Sequence, residues 1–242
     1  MSASAGGVGK LKMADTDETR QHRTLLMENL RAKLEAAAAA GTGGMRYVSF
    51  PKGAMLMYES DMEANAWFLC TGRVRMFRLT HDGTTVVLAH RSKGQIVGEM
   101  AIIDGLPRSG SIIAMEDTRA ILIPDAMFID WLLNDVSFAA ALVFQLSQRL
   151  RESSRHAFSI ATAPIPTRLA AELVAFAIPM PGTTHSYIPD APTITDLAAR
   201  VNATRESVSK AFSNMVARGI VSRNNTHFVI HDLAALADML PD

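Results

Sequence analysis

The residues best suited to bind an anion lie in segment 96–110, which brings together Gly98, Glu99 and Arg108. Glycine lets a ligand approach the backbone closely, and the apolar stretch 100–103 predicts one helical turn whose N–H groups face an anion. An arginine fork matches a phosphate, and a glutamate accepts hydrogen bonds from sugar hydroxyls. The segment therefore predicts a site for a phosphorylated sugar, with a surface Glu–Arg ion pair as the alternative interpretation.

A second chemically unusual feature is the pair of hydroxyls at Ser153 and Ser154. Residues 135–160 contain no Gly or Pro and are long enough for about 39 Å of helix. Apolar positions spaced as in a heptad predict a dimer seam, formed by Val143, Leu146, Leu150, Ser153, Ala157 and Ile160. A hydroxyl in such a seam costs stability unless it is hydrogen-bonded, so we expect a polar ligand there. A helix packed on its own sheet is the alternative.

The C-terminal third predicts two short helices joined by a tight turn. Thr193 and Asp196 have the spacing of a capping box, Asn202 tolerates left-handed backbone at the turn, and Thr204 caps the second helix. Inward-facing Val208, Phe212 and Met215 leave a polar face made of Arg205, Glu206, Ser207, Ser209 and Lys210. This pattern predicts a helix-turn-helix, and 219–230 predicts a wing that turns at Asn224-Asn225. A solvated helix in an unrelated three-helix domain is the alternative.

The charge of the chain is balanced overall but not locally. The 24 Lys and Arg equal the 24 Asp and Glu, so the net charge is zero, whereas a nucleic-acid-binding domain usually carries excess positive charge. Between residues 200 and 223, one acid, Glu206, stands among five bases, which are Arg200, Arg205, Lys210, Arg218 and Arg223. We therefore expect a basic recognition face within a neutral chain.

Cysteine and histidine usage argues against metal and disulfide chemistry. Cys70 is the single cysteine, which excludes a disulfide framework, a four-thiolate zinc site or a four-cysteine cluster within one chain; we expect a small buried residue. The seven histidines are scattered, and no catalytic constellation appears, so we predict neither a metal nor an enzyme.

No run of about 20 apolar residues predicts a membrane span, and no secretory pattern opens the chain, which favours the cytoplasm.

These sites need a framework, and the sequence divides into four parts. Residues 1–44 predict a disordered tail to residue 16 and an extra helix at 17–40, to which the sequence assigns no function. Residues 45–134 show short strands with turn signals at Thr71-Gly72, Asp82-Gly83 and Lys93-Gly94, which is typical of an antiparallel sandwich or barrel. Residues 135–163 hold the long helix and a hinge, bounded by Pro164 and Pro166, and 164–242 hold the helix-turn-helix.

Gly98-Glu99-Met100-Ala101 and Pro107-Arg108-Ser109 resemble the phosphate-binding cassette of cyclic-nucleotide-binding domains. The preceding Trp67–Arg75 and the turns named above also resemble that domain. The resemblance covers about residues 45–231 and extends to the Crp/Fnr family, within it to the cyclic AMP receptor protein branch. It implies an α+β fold with an N-terminal antiparallel β-roll that binds a cyclic nucleotide, a long dimerisation helix and a C-terminal winged helix-turn-helix.

The resemblance implies a role for each cassette residue. Glu99 matches the ligand of the ribose 2′-hydroxyl, Arg108 and Ser109 match the ligands of the cyclic phosphate, and Ser153 and Ser154 match a pair that reaches the purine from two subunits. The implied set is Leu88, Ala89, Gly98, Glu99, Met100, Arg108, Ser109, Ser153 and Ser154. The chain has Ser-Ser where the family has Thr-Ser, and Gly110 where the family has alanine. Cyclic AMP is the favoured ligand and cyclic GMP the alternative, since Ser109 is also able to accept the guanine 2-amino group.

The resemblance also implies how DNA is read. Arg205, Glu206 and Lys210 match the base-reading positions, where Arg205 would donate to guanine and Glu206 accept from cytosine. Thr193 and Thr204 match phosphate contacts, and Ser207 completes the set. Lys210 replaces an arginine and is not an equivalent bidentate reader, so we expect a TGTGA-related half-site that is read less strictly. The implied partners are a palindromic double-stranded DNA, a second copy of the chain, and RNA polymerase near 181–189.

The expected mechanism is a population shift in which nucleotide at the helix seam repositions the two recognition helices. Two alternatives stay open. One is a Crp/Fnr-type regulator that senses another effector, such as haem held by Cys70 or His81, or that needs no nucleotide. The other is a nucleotide-regulated enzyme or its regulatory subunit.

Overall fold

A computed structural model describes residues 17–61, 65–79, 81, 85–180, 182–189, 191–224 and 227–240. The predicted tail 1–16, the turn Asp82-Gly83 and Asn225 of the wing turn lie outside these ranges. The helices are α1 (Asp17–Ala40), α2 (Met100–Asp104), α3 (Asp125–Asn134), α4 (Val136–Thr162), α5 (Ile165–Phe176), α6 (Ile194–Arg200), α7 (Arg205–Ala217) and α8 (Leu233–Ala237). The strands are β1 (Arg46–Phe50), β2 (Met55–Met57), β3 (Ala66–Thr71), β4 (Arg73–Leu79), β5 (Thr85–Ser92), β6 (Ile96–Val97), β7 (Ser111–Ala114), β8 (Thr118–Ile123), β9 (Ile178–Pro179), β10 (Ser186–Pro189), β11 (Val221–Arg223) and β12 (His227–Ile230).

The N-terminal half is an antiparallel β-roll made of two four-stranded sheets. One sheet has the order β1-β8-β3-β6 and the other β2-β7-β4-β5, and their strand pairs are antiparallel. Side chains alternate across a strand. In β3, Leu69 therefore faces the interior between the sheets, while Phe68 faces the helices. The first sheet is therefore covered on both faces, by the second sheet on one side and by the helices on the other.

Helix α1 packs on the outer face of the first sheet. Leu30 and Leu34 of its apolar stripe are buried, whereas Leu25 is exposed. Lys33 pairs with Asp135 at the start of α4, and its ammonium lies 4.5 Å from the centre of the Trp131 ring. The helix that the sequence could not assign is therefore a structural cover for the roll that also contacts α4.

Helix α4 has two different halves. Asp135 caps it by accepting a hydrogen bond of 2.8 Å from the Phe138 amide, and the first half buries Phe138, Ala141, Leu142 and Gln145 against the roll. The Gln145 side chain accepts from the Ile96 amide at 3.0 Å and donates to the Gly94 carbonyl at 3.2 Å. Residues 151–158 are all exposed. The first half of α4 is thus joined to β6, directly before the cassette, and the second half leaves the roll.

The C-terminal domain surrounds a separate apolar core. Pro164 caps α5 and Pro166 lies in its first turn, where a missing N–H costs nothing. Helices α5 to α8 pack on a sheet of order β11-β12-β10-β9, and Val208, Phe212 and Met215 of α7 are buried as predicted. The observed architecture confirms the predicted α+β class with an antiparallel roll, a long helix and a winged helix-turn-helix; the strands β9 and β10 and helix α8 were not predicted.

No single helix among the described residues has the length and apolar composition needed to cross a bilayer. The pair α3 and α4 meets those criteria jointly, but the two helices are bent by 102°.

Candidate ligand cavity and DNA-reading surface

A cavity of about 230 Å³ lies between the cassette, β5 and α4, and is called the cassette cavity below. Eight of the nine residues predicted to bind nucleotide line it, namely Leu88, Ala89, Gly98, Glu99, Met100, Arg108, Ser109 and Ser153. The ninth, Ser154, is exposed on α4 and does not line the cavity of its own chain. Residues more than 60 positions apart in the sequence are therefore brought to one concave site.

Two glycines of the cassette are required by close packing. Gly98 has φ of +81°, and a Cβ there would lie 2.4 Å from the Met57 Cε and 3.0 Å from the Asn65 carbonyl oxygen. At Gly110 a Cβ would lie 2.8 Å from the Phe77 carbonyl oxygen. The second distance gives a physical reason for glycine where the family has alanine, because the strand β4 backbone occupies the space of a methyl group.

Arg108 is held in place by backbone carbonyls. Its side chain is only 7% exposed, and its two terminal nitrogens donate to the Gly98 carbonyl at 2.7 Å and the Asn65 carbonyl at 2.9 Å. Burial lowers the pKa of Arg108, yet a guanidinium stays charged in proteins. The cavity therefore contains a positive charge whose orientation is set before any ligand arrives.

Glu99 is buried to 2% exposure and is paired with Arg149 of α4. Arg149 also donates to the Ile96 carbonyl. A buried carboxylate needs a partner and hydrogen bonds, and the arginine supplies both. We expected Glu99 to be an acceptor for sugar hydroxyls, and the sequence assigned no role to Arg149. The missed signal is its position four residues before Ser153, which puts both side chains on one helix face.

Arg91 of β5 is a further cation that the sequence did not single out. It lines the cassette cavity and lies 3.5 Å from the Glu152 carboxylate. Burial, followed by the charge of Arg149, lowers its pKa. Arg91, Arg108 and Arg149 face one lining carboxylate, that of Glu99, so the cavity favours an anion.

The recognition surface is formed by the exposed start of α7. Arg205, Glu206 and Lys210 are exposed, and Ser207 is half-buried. Thr204 caps the helix by accepting from the Ser207 amide at 3.3 Å. The turn before it contains Asn202 with φ of +48°, as its tolerance of left-handed backbone suggested.

The capping box that opens α6 is complete. The Asp196 amide donates to the Thr193 hydroxyl at 3.1 Å, and the Thr193 amide donates back to the Asp196 carboxylate at 2.9 Å. Both predicted phosphate-contact residues, Thr193 and Thr204, are exposed.

The prediction that Arg200 belongs to the basic recognition face is wrong. The Nε of Arg200 lies 2.5 Å from the Glu172 carboxylate, and its Nη1 donates to the Val87 carbonyl of the roll at 2.5 Å. The guanidinium also lies 4.4 Å from the centre of the Phe176 ring. Arg200 therefore joins the two domains instead of facing DNA, and Arg205, Lys210, Arg218 and Arg223 remain exposed. Local charge counting failed because it ignores partners that lie far away in the sequence.

The predicted seam is largely uncovered in the single chain. Val143 is 63% exposed and Leu150 is 68% exposed; Ser153 and Ala157 are exposed, while Leu146 and Ile160 are half-buried. Leu146 also contacts the core of the roll. Phe158, which the seam did not include, is 68% exposed. The single chain thus leaves three large apolar side chains of α4 exposed, namely Val143, Leu150 and Phe158.

The residues considered for metal or haem binding do not converge. Among the described residues, no three His, Cys, Asp or Glu side chains form a group able to hold a metal. Cys70 is half-buried rather than buried, and burial raises the pKa of its thiol. His81 is exposed, and neither residue lines the cassette cavity.

Two family models match the chain. The cyclic nucleotide-binding domain matches residues 47–135 and the Crp-like helix-turn-helix domain matches residues 167–239. The chain belongs to the Crp/Fnr family of transcription regulators. Within this family it is 25% identical over 210 residues to a CRP-like cAMP-activated global transcriptional regulator of Mycobacterium tuberculosis, covering 84% of this chain and 91% of that protein.

Solved structures of other regulators share the fold of this Crp/Fnr protein. A CRP/FNR-family transcriptional regulator of Thermus thermophilus superposes with a TM-score of 0.64 at 26% identity, over 80% of this chain and 97% of that one. The c-di-GMP responsive global regulator of Xanthomonas campestris superposes with a TM-score of 0.62 at 19% identity, over 77% and 93%. The same fold therefore serves different effectors, and the effector has to be argued from the cavity.

Proposed function

We propose that this regulator is a homodimer whose affinity for a palindromic DNA site is raised by a cyclic nucleotide, cyclic AMP in preference to cyclic GMP. The observation that carries the proposal is the cassette cavity, where the buried Glu99 and Arg108 lie in one wall with Ser109 and Ser153. In this proposal, residues 45–134 bind the ligand, residues 135–163 form the dimer contact and residues 164–242 bind DNA. No catalytic role is proposed.

The ligand would meet three kinds of group in the cavity. Its cyclic phosphate would accept hydrogen bonds from Arg108 and Ser109, because a guanidinium and a hydroxyl are donors suited to phosphate oxygens. Its ribose would donate to Glu99, whose carboxylate already accepts from Arg149. The purine would extend toward Ser153 and toward Ser154 of the second copy.

Two elements connect this ligand to the DNA-binding domain. Strand β5 contributes Leu88 and Ala89 to the cavity, and the adjacent Val87 carbonyl holds Arg200 of α6. Helix α4 carries Ser153, and one turn later His156 lies 3.3 Å from Glu172 of α5. A ligand that favours one arrangement of β5 and α4 would change these contacts. A 100-fold gain in DNA affinity requires about 2.7 kcal/mol of differential binding.

Dimerisation is supported by the exposed large apolar side chains of α4. Single large apolar side chains at a surface are ordinary, but Val143, Leu150 and Phe158 follow one another along one helix. We expect Leu150→Asp to convert the dimer to a monomer in analytical ultracentrifugation. Leu79→Asp changes a side chain that is 59% exposed on the roll and should leave the dimer intact. Equal effects of the two variants would count against the seam.

DNA binding follows from the exposed start of α7, and two such helices in a dimer would read half-sites about 34 Å apart. Arg205 and Glu206 would read guanine and cytosine. Lys210→Arg should sharpen the discrimination at its base pair, as measured on a library of half-site variants. RNA polymerase near 181–189 and a cytoplasmic location complete the proposal.

The decisive experiment measures ligand and DNA binding together. Calorimetry with cyclic AMP, cyclic GMP and c-di-GMP gives the effector and its stoichiometry, and fluorescence anisotropy with a palindromic duplex gives the DNA affinity with and without each. We expect cyclic AMP to bind once per chain and to raise DNA affinity. DNA binding that no nucleotide alters would refute the switch, and a haem spectrum in the purified protein would favour the alternative sensor.

A further inference from the structure

A second cavity, of about 240 Å³, lies between the roll and the DNA-binding domain and is called the interdomain cavity below. The roll contributes residues of β4 and β5, and the DNA-binding domain contributes Phe176, Ile188 and Arg200. Arg91 lines both this cavity and the cassette cavity. The space therefore exists only when the two domains lie against each other.

The walls of the interdomain cavity are strongly cationic. Four arginines line it, Arg73, Arg75, Arg91 and Arg200, and no carboxylate of a described residue does. Three of them have acidic partners outside the cavity, namely Glu116, Glu152 and Glu172. The side chain of Arg75 has no ion-pair or hydrogen-bond partner among the described residues, and its Nε is buried. A buried arginine nitrogen without an acceptor is costly, which a bound anion would relieve.

His90 of β5 is a further polar group in the wall of this cavity. Its Nδ1 is buried without a hydrogen-bond partner among the described residues, and its ring lies edge-to-face on Phe176 at 4.4 Å. Burial, together with the charges of Arg200, Arg75, Arg73 and Arg91, lowers the pKa of His90 to about 3. His90 therefore carries no charge at neutral pH, and no described residue that lines the cavity supplies a negative charge to the arginines.

We propose that the interdomain cavity is a binding site for a small phosphate-bearing anion, held by Arg75 and His90 of the roll and Arg200 of the DNA-binding domain. Guanidinium groups are the side chains best matched to phosphate oxygens. The cavity is about as large as the cassette cavity, so it accommodates inorganic phosphate, pyrophosphate or a phosphate ester no larger than a nucleotide. Phe176 and Ile188 offer an apolar wall for the organic part of an ester.

The proposed site borders the proposed nucleotide site and shares Arg91 with it, but it differs from it at Arg75 and in its expected effect. Arg75 lines the interdomain cavity and does not line the cassette cavity. An anion that contacts both domains stabilises their contact, because its binding free energy is available only while both walls are present.

The test uses the full-length protein with histidine ring carbons labelled for NMR, and a His90→Asn variant assigns the His90 signal. Inorganic phosphate, pyrophosphate and AMP are titrated separately at constant ionic strength. We expect at least one of them to shift the His90 signal saturably and to raise the pKa of His90 from about 3. Preference for AMP over phosphate would identify an ester, and the reverse an inorganic anion.

Two charge-matched variants locate the site. Arg75→Gln should weaken the saturable binding at least tenfold. Arg78→Gln removes one charge from the same strand, from an exposed arginine paired with Glu59, and should change it less than twofold. Cyclic nucleotide binding should be unaffected by Arg75→Gln, so this test stands apart from the proposed function. The proposal is overturned if no probe gives saturable binding, or if Arg75→Gln and Arg78→Gln behave alike.

Discussion

The cassette cavity and the interdomain cavity are similar in size, border the same strand β5 and are both lined by arginines, yet they hold these arginines differently. In the cassette cavity, Arg108 donates to two backbone carbonyls and Arg149 pairs with Glu99. In the interdomain cavity, Arg75 has no partner among the described residues and His90 has an unpartnered buried nitrogen. The cassette cavity therefore has two arginines whose orientation is fixed by partners, whereas the interdomain cavity has one arginine, Arg75, whose side chain has no partner among the described residues.

This difference indicates two kinds of binding. Preorganised groups lose little freedom when a ligand arrives, which improves affinity and geometric selectivity. The walls of the cassette cavity belong to the roll and α4, which Gln145 joins at Ile96 and Gly94. The walls of the interdomain cavity belong to two domains, so its binding depends on their contact. Four experiments test the contrast.

The largest effect is expected at Arg108. Arg108→Gln removes the fixed positive charge of the cassette cavity and should weaken cyclic nucleotide binding at least 100-fold, about 2.7 kcal/mol, in calorimetry. Arg78→Gln is the charge-matched control and should bind as the unaltered protein does. A loss below threefold for Arg108→Gln would contradict its assignment to the phosphate.

The next effect concerns the rigidity of the cassette cavity. Gly98 and Gly94 have nearly equal φ, +81° and +85°, but a Cβ would meet Met57 at the first and nothing within 4 Å at the second. Gly94→Ala should lower the free energy of unfolding by about 1 kcal/mol through backbone strain alone. Gly98→Ala should lower it by about 3 kcal/mol, since a steric clash is added. Equal urea midpoints would show that the close packing around Gly98 is unimportant.

Arg200 tests the domain contact that closes the interdomain cavity. Arg200→Ala removes the bonds to Glu172 and the Val87 carbonyl and should raise nucleotide-free DNA affinity about tenfold, or about 1.4 kcal/mol, in fluorescence anisotropy. Glu172→Gln weakens the same pair and should act in the same direction. A loss of DNA affinity as large as that of Arg205→Ala would instead return Arg200 to the DNA-reading face.

The last effect is the pH dependence due to His90, which is confined to acidic pH. Its folded-state pKa is about 3, below the ordinary 6.5, so between these values the unfolded chain binds the additional proton. The stability from His90 is therefore present above pH 6.5 and is lost as the pH falls toward 3. His90→Asn should remove up to about 1.4 kcal/mol per pH unit from the slope of unfolding free energy in this window. His81→Asn changes an exposed histidine and should leave this slope unchanged. If His90→Asn also leaves the slope unchanged, the side chain of His90 is solvated and its pKa is not lowered by burial.

Much of the framework was predictable from short-range patterns. The helix 17–40, the capping box of Thr193 and Asp196, the left-handed Asn202 and the buried face of α7 each depend on residues within one or two turns of each other. Gly98 was predicted to let a ligand approach the backbone, and this stays a prediction; the structure shows instead that Met57 and Asn65 occupy the space that a Cβ would need. The exposed positions of the seam follow from its heptad spacing, although their dimer role stays a prediction.

The sequence by itself determined where the helices begin, which faces they bury and that Gly98, Glu99 and Arg108 lie in one short segment, because capping, periodicity and backbone freedom act between near neighbours. Only the tertiary structure decided that Glu99 pairs with Arg149, that Arg200 faces the roll instead of DNA, and that Arg75 has no acidic neighbour among the described residues. The first two of these contacts join residues that are 50 and 113 positions apart in the sequence. A charged side chain takes whichever partner folding brings within a few ångströms, and linear spacing does not contain that information.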